Sequence, residues 1–251
     1  MNILIIIPSR FGSSRFEGKP LVDIHGKSLV KRTYEQALKT NLKAKVIVAT
    51  DDDRIYKHVQ EFGDSVMTSS EHLSGTDRCF EVVGKLTEPF DIVVNLQGDE
   101  PFILPSQIEA LVKAFENPEV EIATLKKPIL NSSELFNPNI VKVVTQKNGL
   151  ALYFSRHSIP YIRSKSEDQW TSTNHFYRHI GIYAFRANVV KELSQLKPSE
   201  MEIAESLEQL RWLENGYKIH VSETNFVSPA IDTPEDLLTV DNFLKMNPEM
   251  I

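Results

Sequence analysis

A chain of 251 residues with 41% hydrophobic and 25% charged positions has ordinary globular composition, enough for one large core or two small ones. Its formal net charge of -6 argues against general nucleic-acid binding, which needs a broad basic face, and no stretch is long and apolar enough to cross a bilayer. Cys79 is the only cysteine, which excludes an internal disulfide and fits a reducing cytoplasm, and no basic start leads into a signal-length apolar run, so no secretion signal is expected.

Taken in chain order, the apolar run "NILIII" predicts a strand over 2–7 that is buried on both faces. A helix is expected over 28–40, with Leu29, Val30, Tyr34 and Leu38 toward one side. "KVIVAT" predicts a strand over 45–50, followed by a helix over 51–62 whose acidic start suits the helix dipole. "DIVVNLQ" predicts a core strand over 91–97, and 105–116 a helix. "EIATLKK" (121–127) and "IVKVVTQ" (140–146) read as strands, and Asn148-Gly149 joins the latter to "LALYFS" (150–155) as a hairpin. "HIGIYAF" (179–185) is a strand, 202–215 a helix ending at Gly216, and "KIHVSE" (218–223) a strand. The last helix is expected over 234–246, with Thr233 or Asp232 near its N-cap. Strand and helix alternate through the first half, which predicts an α/β fold: a mostly parallel sheet with helices on both faces. The hairpin in the second half implies an antiparallel lobe at about 140–185 appended to a single domain over 1–251.

One loop stands out in this acidic chain. "PSRFGSSRFEGKP" (8–20) follows the first strand and carries Arg10, Arg15 and Lys19 with Gly12 and Gly18. In an open parallel sheet, ligands sit beyond the carboxyl ends of the strands. The arginines are suited to bidentate grip on phosphate oxygens and Lys19 to a point charge, so the loop reads as a polyphosphate clamp. It is not a Walker loop: five residues separate Gly12 from Gly18, and Pro20 follows Lys19. Nor does it carry the three spaced glycines of the dinucleotide fingerprint. The competing reading is a solvated loop whose arginines pair with acids elsewhere.

Two carboxylates complete the pattern. "NLQGDEPF" places Asp99 after a core strand, and "AIDTPEDL" places Asp232 before a helix. Asp99 could be a turn residue and Asp232 a helix cap. Near a triphosphate both would serve as magnesium ligands, because Mg2+ takes few protein carboxylates and fills its shell with phosphate oxygen and water. Without a cation, two carboxylates about 4 Å apart would repel by roughly 4 kcal/mol at a surface-like dielectric.

In this order, the segments "IIIPSRFGSSRFEGKPL", "VATDDDRI", "HLSGTDR", "VVNLQGDEPFI", "NPNIVKVV", "ALYFSRHSIPY", "RHIGIYAF", "ESLEQLRWLENG" and "DTPEDL" resemble the 3-deoxy-manno-octulosonate cytidylyltransferase family over nearly the whole chain. The resemblance implies a Rossmann-like, glycosyltransferase-A-like nucleotidyltransferase fold, a homodimer built through the antiparallel lobe, and a cytoplasmic, magnesium-dependent enzyme. The implied reaction transfers CMP from CTP to the anomeric hydroxyl of an acidic eight-carbon sugar, for lipopolysaccharide assembly. The implied chemistry is in-line attack on the α-phosphorus with pyrophosphate leaving. Arg10, Arg15 and Lys19 fall in the triphosphate loop, and Asp99 and Asp232 on the metal-binding aspartates. Ser74, Gly75, Thr76 and Arg78 fall in the base and ribose segment. Gln97, Arg156, His179, Tyr183, Glu205 and Gln209 fall in segments that line the sugar site. The 8-amino analogue of the sugar and sialic acid are the alternative acceptors, and a binding protein without catalysis the alternative class.

Several residues also have plainer readings. His179 could be a packed core histidine, and Glu205 with Gln209, four apart on the expected helix, a solvent-facing stripe with Glu208 and Arg211. Trp170 and Trp212 read as packing residues and Cys79 as a buried small one. Where the family loop often has Leu-Pro before Gly-Lys, this chain has Phe16-Glu17, and Glu17 is expected to point away from the phosphates. "SPAI" precedes Asp232 where a glycine is common, and 164–174 matches no part of the pattern, reading as a loop near the sugar pocket.

Overall fold

Five consecutive apolar residues, Ile3 to Ile7, are all buried in β1 (Ile3–Pro8), as a strand covered on both faces requires. The computed structural model of the chain describes residues 1–13, 15–72, 74–173 and 176–250. These divide into two compact units, 1–109 with 227–251, and 110–226.

The first unit continues with a short antiparallel pair, β2 (Asp23–Ile24) and β3 (Lys27–Ser28). α1 (Leu29–Leu38) starts where Ser28 accepts a hydrogen bond from the Lys31 N–H, and buries Leu29, Val30 and Tyr34, whereas Leu38, expected on the core side, is exposed. β4 (Ala44–Thr50) and α2 (Asp53–Val59) follow, the latter capped by Asp52. α2 ends three residues short of the expected 62 because the chain turns at Phe62 and Gly63, whose N–H groups both donate to the Val59 carbonyl. Gly63 lies so close to Tyr34 that a Cβ there would fall 2.3 Å from the ring. β5 (Asp64–Met67) and α3 (Gly75–Lys85) were not expected from the sequence. β6 (Ile92–Asn95) and α4 (Pro105–Lys113) complete the run. The strands lie in the order β6-β1-β4-β5, all parallel, with Ile5 beside both Val46 and Val94.

The second unit holds β7 (Ile122–Pro128), α5 (Ser132–Leu135), β8 (Lys142–Thr145), β9 (Ala151–Ser155), β10 (Tyr177–Arg186), α6 (Ala187–Leu193), α7 (Glu200–Glu205), α8 (Gln209–Glu214) and β11 (Ile219–Glu223). β11 pairs parallel with β7, while β7–β10 and β8–β9 are antiparallel. Gly149, at φ +86°, turns the β8–β9 hairpin as its Asn-Gly sequence predicts. The stretch 164–174 is not an open loop: Glu167–Thr173 forms a 3-10 turn that seats Trp170 among Ile129, Leu135 and Phe176, while Asn174 lies outside the described residues. Trp212 and Cys79 are buried, as expected.

The continuous helix expected over 202–215 is broken. A capping box between Ser199 and Glu202 starts α7 early, and Ser206 adopts φ +52° between α7 and α8. The break follows from the demand on Glu205. Its carboxylate accepts from Ser155 Oγ (2.6 Å) and the Arg156 N–H (2.8 Å), and its carbonyl from Arg156 Nε (2.7 Å). Glu205 and Gln209 therefore do not share one helix face. Gly216, at φ +85°, does end α8.

The chain then returns to the first unit through α9 (Asp236–Met246). Ile231, Val240 and Leu244 enter a core with Ile24, Leu29 and Phe102. Neither Asp232 nor Thr233 caps α9 through its side chain. The Asp236 carboxylate turns back to accept from the Asp232 and Thr233 N–H groups, both at 2.8 Å. Burial pushes its acidity the other way, but these bonds hold the Asp236 carboxyl below its ordinary value.

Candidate active site

The site is assembled in the first unit, at the carboxyl ends of its parallel strands. After β1 the loop folds on Phe11, whose carbonyl accepts from the N–H groups of Ser13 and Gly18, both at 2.9 Å. Gly18, at φ +70°, makes the turn, and a 3-10 turn over Lys19–Leu21 with Pro20 buried fixes the start of Lys19. After β6 the backbone must pass under the end of β1. A Cβ at Gly98 would stand 2.7 Å from the Pro8 carbonyl oxygen, so glycine is required to bring Asp99 in. Asp232 comes from far along the chain because its neighbour is anchored: Ile231 is fully buried, and its N–H donates to the Asp99 carbonyl at 3.2 Å. Ser228 adds a bond to Glu100 at 2.6 Å. An apolar anchor therefore does the work at "SPAI".

Four of the predicted charges converge. Lys19 Nζ donates to Asp99 Oδ2 at 3.1 Å and to Asp232 Oδ1 at 3.5 Å, and Arg15 Nη2 to Asp232 Oδ1 at 3.1 Å. One ammonium thus offsets the repulsion between two carboxylates brought to the same place. The side chains of Asp99 and Asp232 are 30% and 44% exposed, so these pairs are solvent-screened and weak enough to be exchanged for a ligand. Arg15 does pair with an acid, but that acid belongs to the same pocket. Arg10, Ser13, Gln97 and Gly98 line it as well, and Glu17 does not. Glu17 is exposed and acts instead on Arg54 of α2. Among the described residues no cluster of three or more His, Cys, Asp or Glu forms. A metal here would have two protein carboxylates at most, a donor set that fits Mg2+ completed by phosphate and water oxygens and does not suit a softer ion.

The segment 74–78 enters as the first turn of α3. Ser74 caps it, accepting from the Asp77 N–H at 3.0 Å, and lines the pocket with Gly75, where a Cβ would come within 3.1 Å of Pro8. Arg78 also lines the pocket but is buried and held by Asp51 at 2.9 Å and by Thr68. Thr76 is buried and accepts from Asn95 Nδ2 at 3.1 Å; it does not line the pocket. Sequence reasoning missed His72 and Ser9, which do. His72 bonds to Glu81; burial would raise that carboxyl, but Lys85, the Ser69 N–H and His72 hold it down at about 2. The position of His72 two residues before "SGTDR" was the available signal. Ser9 is buried and its hydroxyl has no partner among the described residues.

Five of the six expected sugar-site residues lie in the second unit; Gln97 is in the pocket just described. They form two groups. Arg156 spends its guanidinium on neutral carbonyls of Glu205, Pro138 and Ser206. Its own carbonyl accepts from the fully buried Lys142, whose ammonium also reaches the Asn137 and Ile140 carbonyls. The second group is aromatic. His179 packs edge-on against Phe154 at 5.0 Å and beside Tyr183 at 5.3 Å. Although His179 is only half-buried by area, this enclosure, with Arg178 nearby, lowers its pKa to about 3. His179 Nε2 lies 2.9 Å from Thr124 Oγ1, and the Thr124 proton goes to the Ile180 and Ile182 carbonyls, which assigns the imidazole proton to Nε2. The Tyr183 phenol is raised well above its usual value by burial and by Glu208, with the Thr124 hydroxyl opposing, and its oxygen finds no partner in hydrogen-bond geometry among the described residues. Gln209 is buried in α8.

Residues 4–219 match the cytidylyltransferase family. A 3-deoxy-manno-octulosonate cytidylyltransferase of Cytophaga hutchinsonii is 51% identical over 242 residues, covering 96% of each chain. One from Parabacteroides distasonis is 52% identical over 242 residues, covering 94% of this chain and 96% of the relative. A solved structure of CMP:2-keto-3-deoxy-manno-octonic acid synthetase complexed with CTP superposes with a TM-score of 0.91 at 42% identity, over 98% of this chain and 100% of the other. The chain belongs to the 3-deoxy-manno-octulosonate cytidylyltransferase family.

Proposed function

We propose that the chain transfers CMP from CTP to the anomeric hydroxyl of 3-deoxy-manno-octulosonate, releasing pyrophosphate and supplying an activated sugar for lipopolysaccharide assembly. The observation that carries this reading is the meeting of Lys19, Asp99 and Asp232, which are remote in sequence, in a pocket lined by the cationic loop. Arg10 and Arg15 hold the β- and γ-phosphates and Lys19 the α-phosphate, so that charge developing on the leaving group meets fixed cations. Ser74, Gly75 and Arg78 face the nucleoside. Asp99 and Asp232 would hold Mg2+, which when bound would neutralise phosphate charge and lower the pKa of the attacking hydroxyl. Arg156 takes the sugar carboxylate, and His179, Tyr183, Glu205 and Gln209 order the sugar. Positioning and electrostatics supply the rate, with no covalent enzyme intermediate.

A homodimer is part of the same proposal. Leu130, Phe136, Leu152 and Tyr161 are exposed in the second unit, and Phe136 and Tyr161 flank Trp170 at 6.0 and 5.2 Å. Exposed apolar side chains of this size fit burial against a second copy. A cytoplasmic location follows from the need for CTP. Among the described residues no helix is long and apolar enough to cross a membrane.

The test is pyrophosphate release from CTP and Mg2+ with each of three sugars: 3-deoxy-manno-octulosonate, its 8-amino analogue and sialic acid. Turnover is expected to be fastest with the first. Preference for another sugar would move the substrate assignment, and CTP binding without release for any of them would make the chain a sensor.

A further inference from the structure

We propose that Arg54 of α2, which does not line the pocket, is a positioning residue for the triphosphate-binding loop and acts through the ring of Phe11. The inference rests on the reading of residues 10–19 as the loop that holds CTP.

Phe11 is the pivot of that loop. Its carbonyl accepts from the Ser13 and Gly18 N–H groups, both at 2.9 Å, and its ring lies so near Gly18 that a Cβ there would be 3.1 Å from Cζ. Phe11 follows Arg10 directly, and Gly18 directly precedes Lys19, so a shift of the ring moves both cations. The Arg54 guanidinium carbon stands 3.3 Å from the centre of the Phe11 ring, within stacking distance. Arg54 is itself clamped: Nε and Nη2 donate to Asp52 at 2.9 and 2.7 Å, and the same carboxylate caps α2 by accepting from the Arg54 N–H at 2.9 Å. Glu17, inside the loop, favours the same guanidinium electrostatically. The arrangement explains a departure noted in the sequence. An acid beside the clamp is tolerated because it faces Arg54 instead of the phosphates.

The loop needs such a brace. Arg10, Arg15 and Lys19 repel one another, and Gly12 and Gly18 leave the backbone free, so ordering the loop on CTP would otherwise draw on binding energy. A cation stacked on Phe11 from a rigid helix holds the loop in its binding shape beforehand. Neither Arg54 nor Phe11 needs to touch the nucleotide.

The experiment is isothermal titration of the full chain with CTP and MgCl2, for wild type, Arg54→Ala, Arg54→Lys, Phe11→Leu and the Arg54→Ala/Phe11→Leu pair. Arg54→Ala should weaken CTP binding about threefold to tenfold, the range of a stacked cation. Arg54→Lys should lose nearly as much, because it keeps the charge without the planar fork. The double variant should lose little more than either single one, since both act through one contact. Melting temperatures and the KM for the sugar should stay unchanged, which a merely structural role would not produce. CTP affinity within twofold of wild type in Arg54→Ala, or additive losses in the pair, would overturn the brace alone. A wild type that takes up no CTP would overturn the reading of the loop, and the brace with it.

Discussion

The pocket of the first unit and the residues around β10 in the second use polar groups in opposite ways. In the pocket, the groups sit on loops at strand ends, are partly exposed, and balance one another: Lys19 against Asp99 and Asp232, Arg15 against Asp232. Around β10 they sit within an aromatic core, where His179 is held neutral and the Tyr183 hydroxyl has no partner among the described residues. The first arrangement keeps its charges ready for exchange with a ligand that brings charge of its own. The second suppresses ionisation and leaves hydrogen-bonding capacity unsatisfied, which suits neutral hydroxyls. A nucleoside triphosphate and a sugar make those two demands.

The largest test of this contrast is Asp99→Asn. Removing one carboxylate from the pocket should lower turnover on the order of 10³-fold, as loss of a principal electrostatic contact does. The melting temperature should hardly move, because Asp99 is 30% exposed and its pair with Lys19 is screened. Pyrophosphate release and a thermal melt read the two quantities. Near-normal turnover would remove Asp99 from the mechanism.

A second test concerns pH. His179 has a folded-state pKa of about 3, below its ordinary value. The unfolded chain therefore binds the extra proton first, and stability falls as pH drops from the ordinary histidine range toward the folded value. Half-burial tempers the size, so up to about 2 kcal/mol should be lost between pH 7 and pH 5 from this residue. His220, lowered by burial, acts in the same direction. Urea unfolding at the two pH values, compared with His179→Gln, isolates the contribution. An identical pH dependence in both proteins would mean that the imidazole is not enclosed.

The two regions also differed in how much of them could be read from the sequence. Loop residues at strand ends were legible because chain order dictates where they go: a strand buried on both faces, a glycine and an acid place Asp99 with little freedom. Asp232 was harder, since its side chain could as well have capped α9. What decides the matter is Asp236, whose carboxylate turns back to hold the Asp232 and Thr233 N–H groups and leaves the Asp232 side chain to face Lys19. The pairing of Glu205 with Gln209 failed because helix periodicity does not register that Ser155 and Arg156, fifty residues upstream, claim Glu205 and break the helix at Ser206. α3 was missed because its apolar residues are interleaved with Thr76 and Arg78, both buried through bonds to distant partners. In each case tertiary hydrogen bonding overrode a local pattern.

The finest test is Tyr183→Phe, because its two effects should have opposite signs. The ring packs edge-on against Trp212 at 5.0 Å and beside His179 at 5.3 Å, and phenylalanine keeps both contacts. What is lost is a buried hydroxyl without a partner, so the free protein should gain stability, by about 1 kcal/mol. If the oxygen is held for a sugar hydroxyl, the same change should raise the KM for the sugar about fivefold, the worth of one neutral hydrogen bond, and leave the KM for CTP alone. A gain in stability with unchanged KM would make Tyr183 a packing residue. A loss of stability would mean that the hydroxyl is already satisfied, and the contrast between the two regions would then rest on His179 alone.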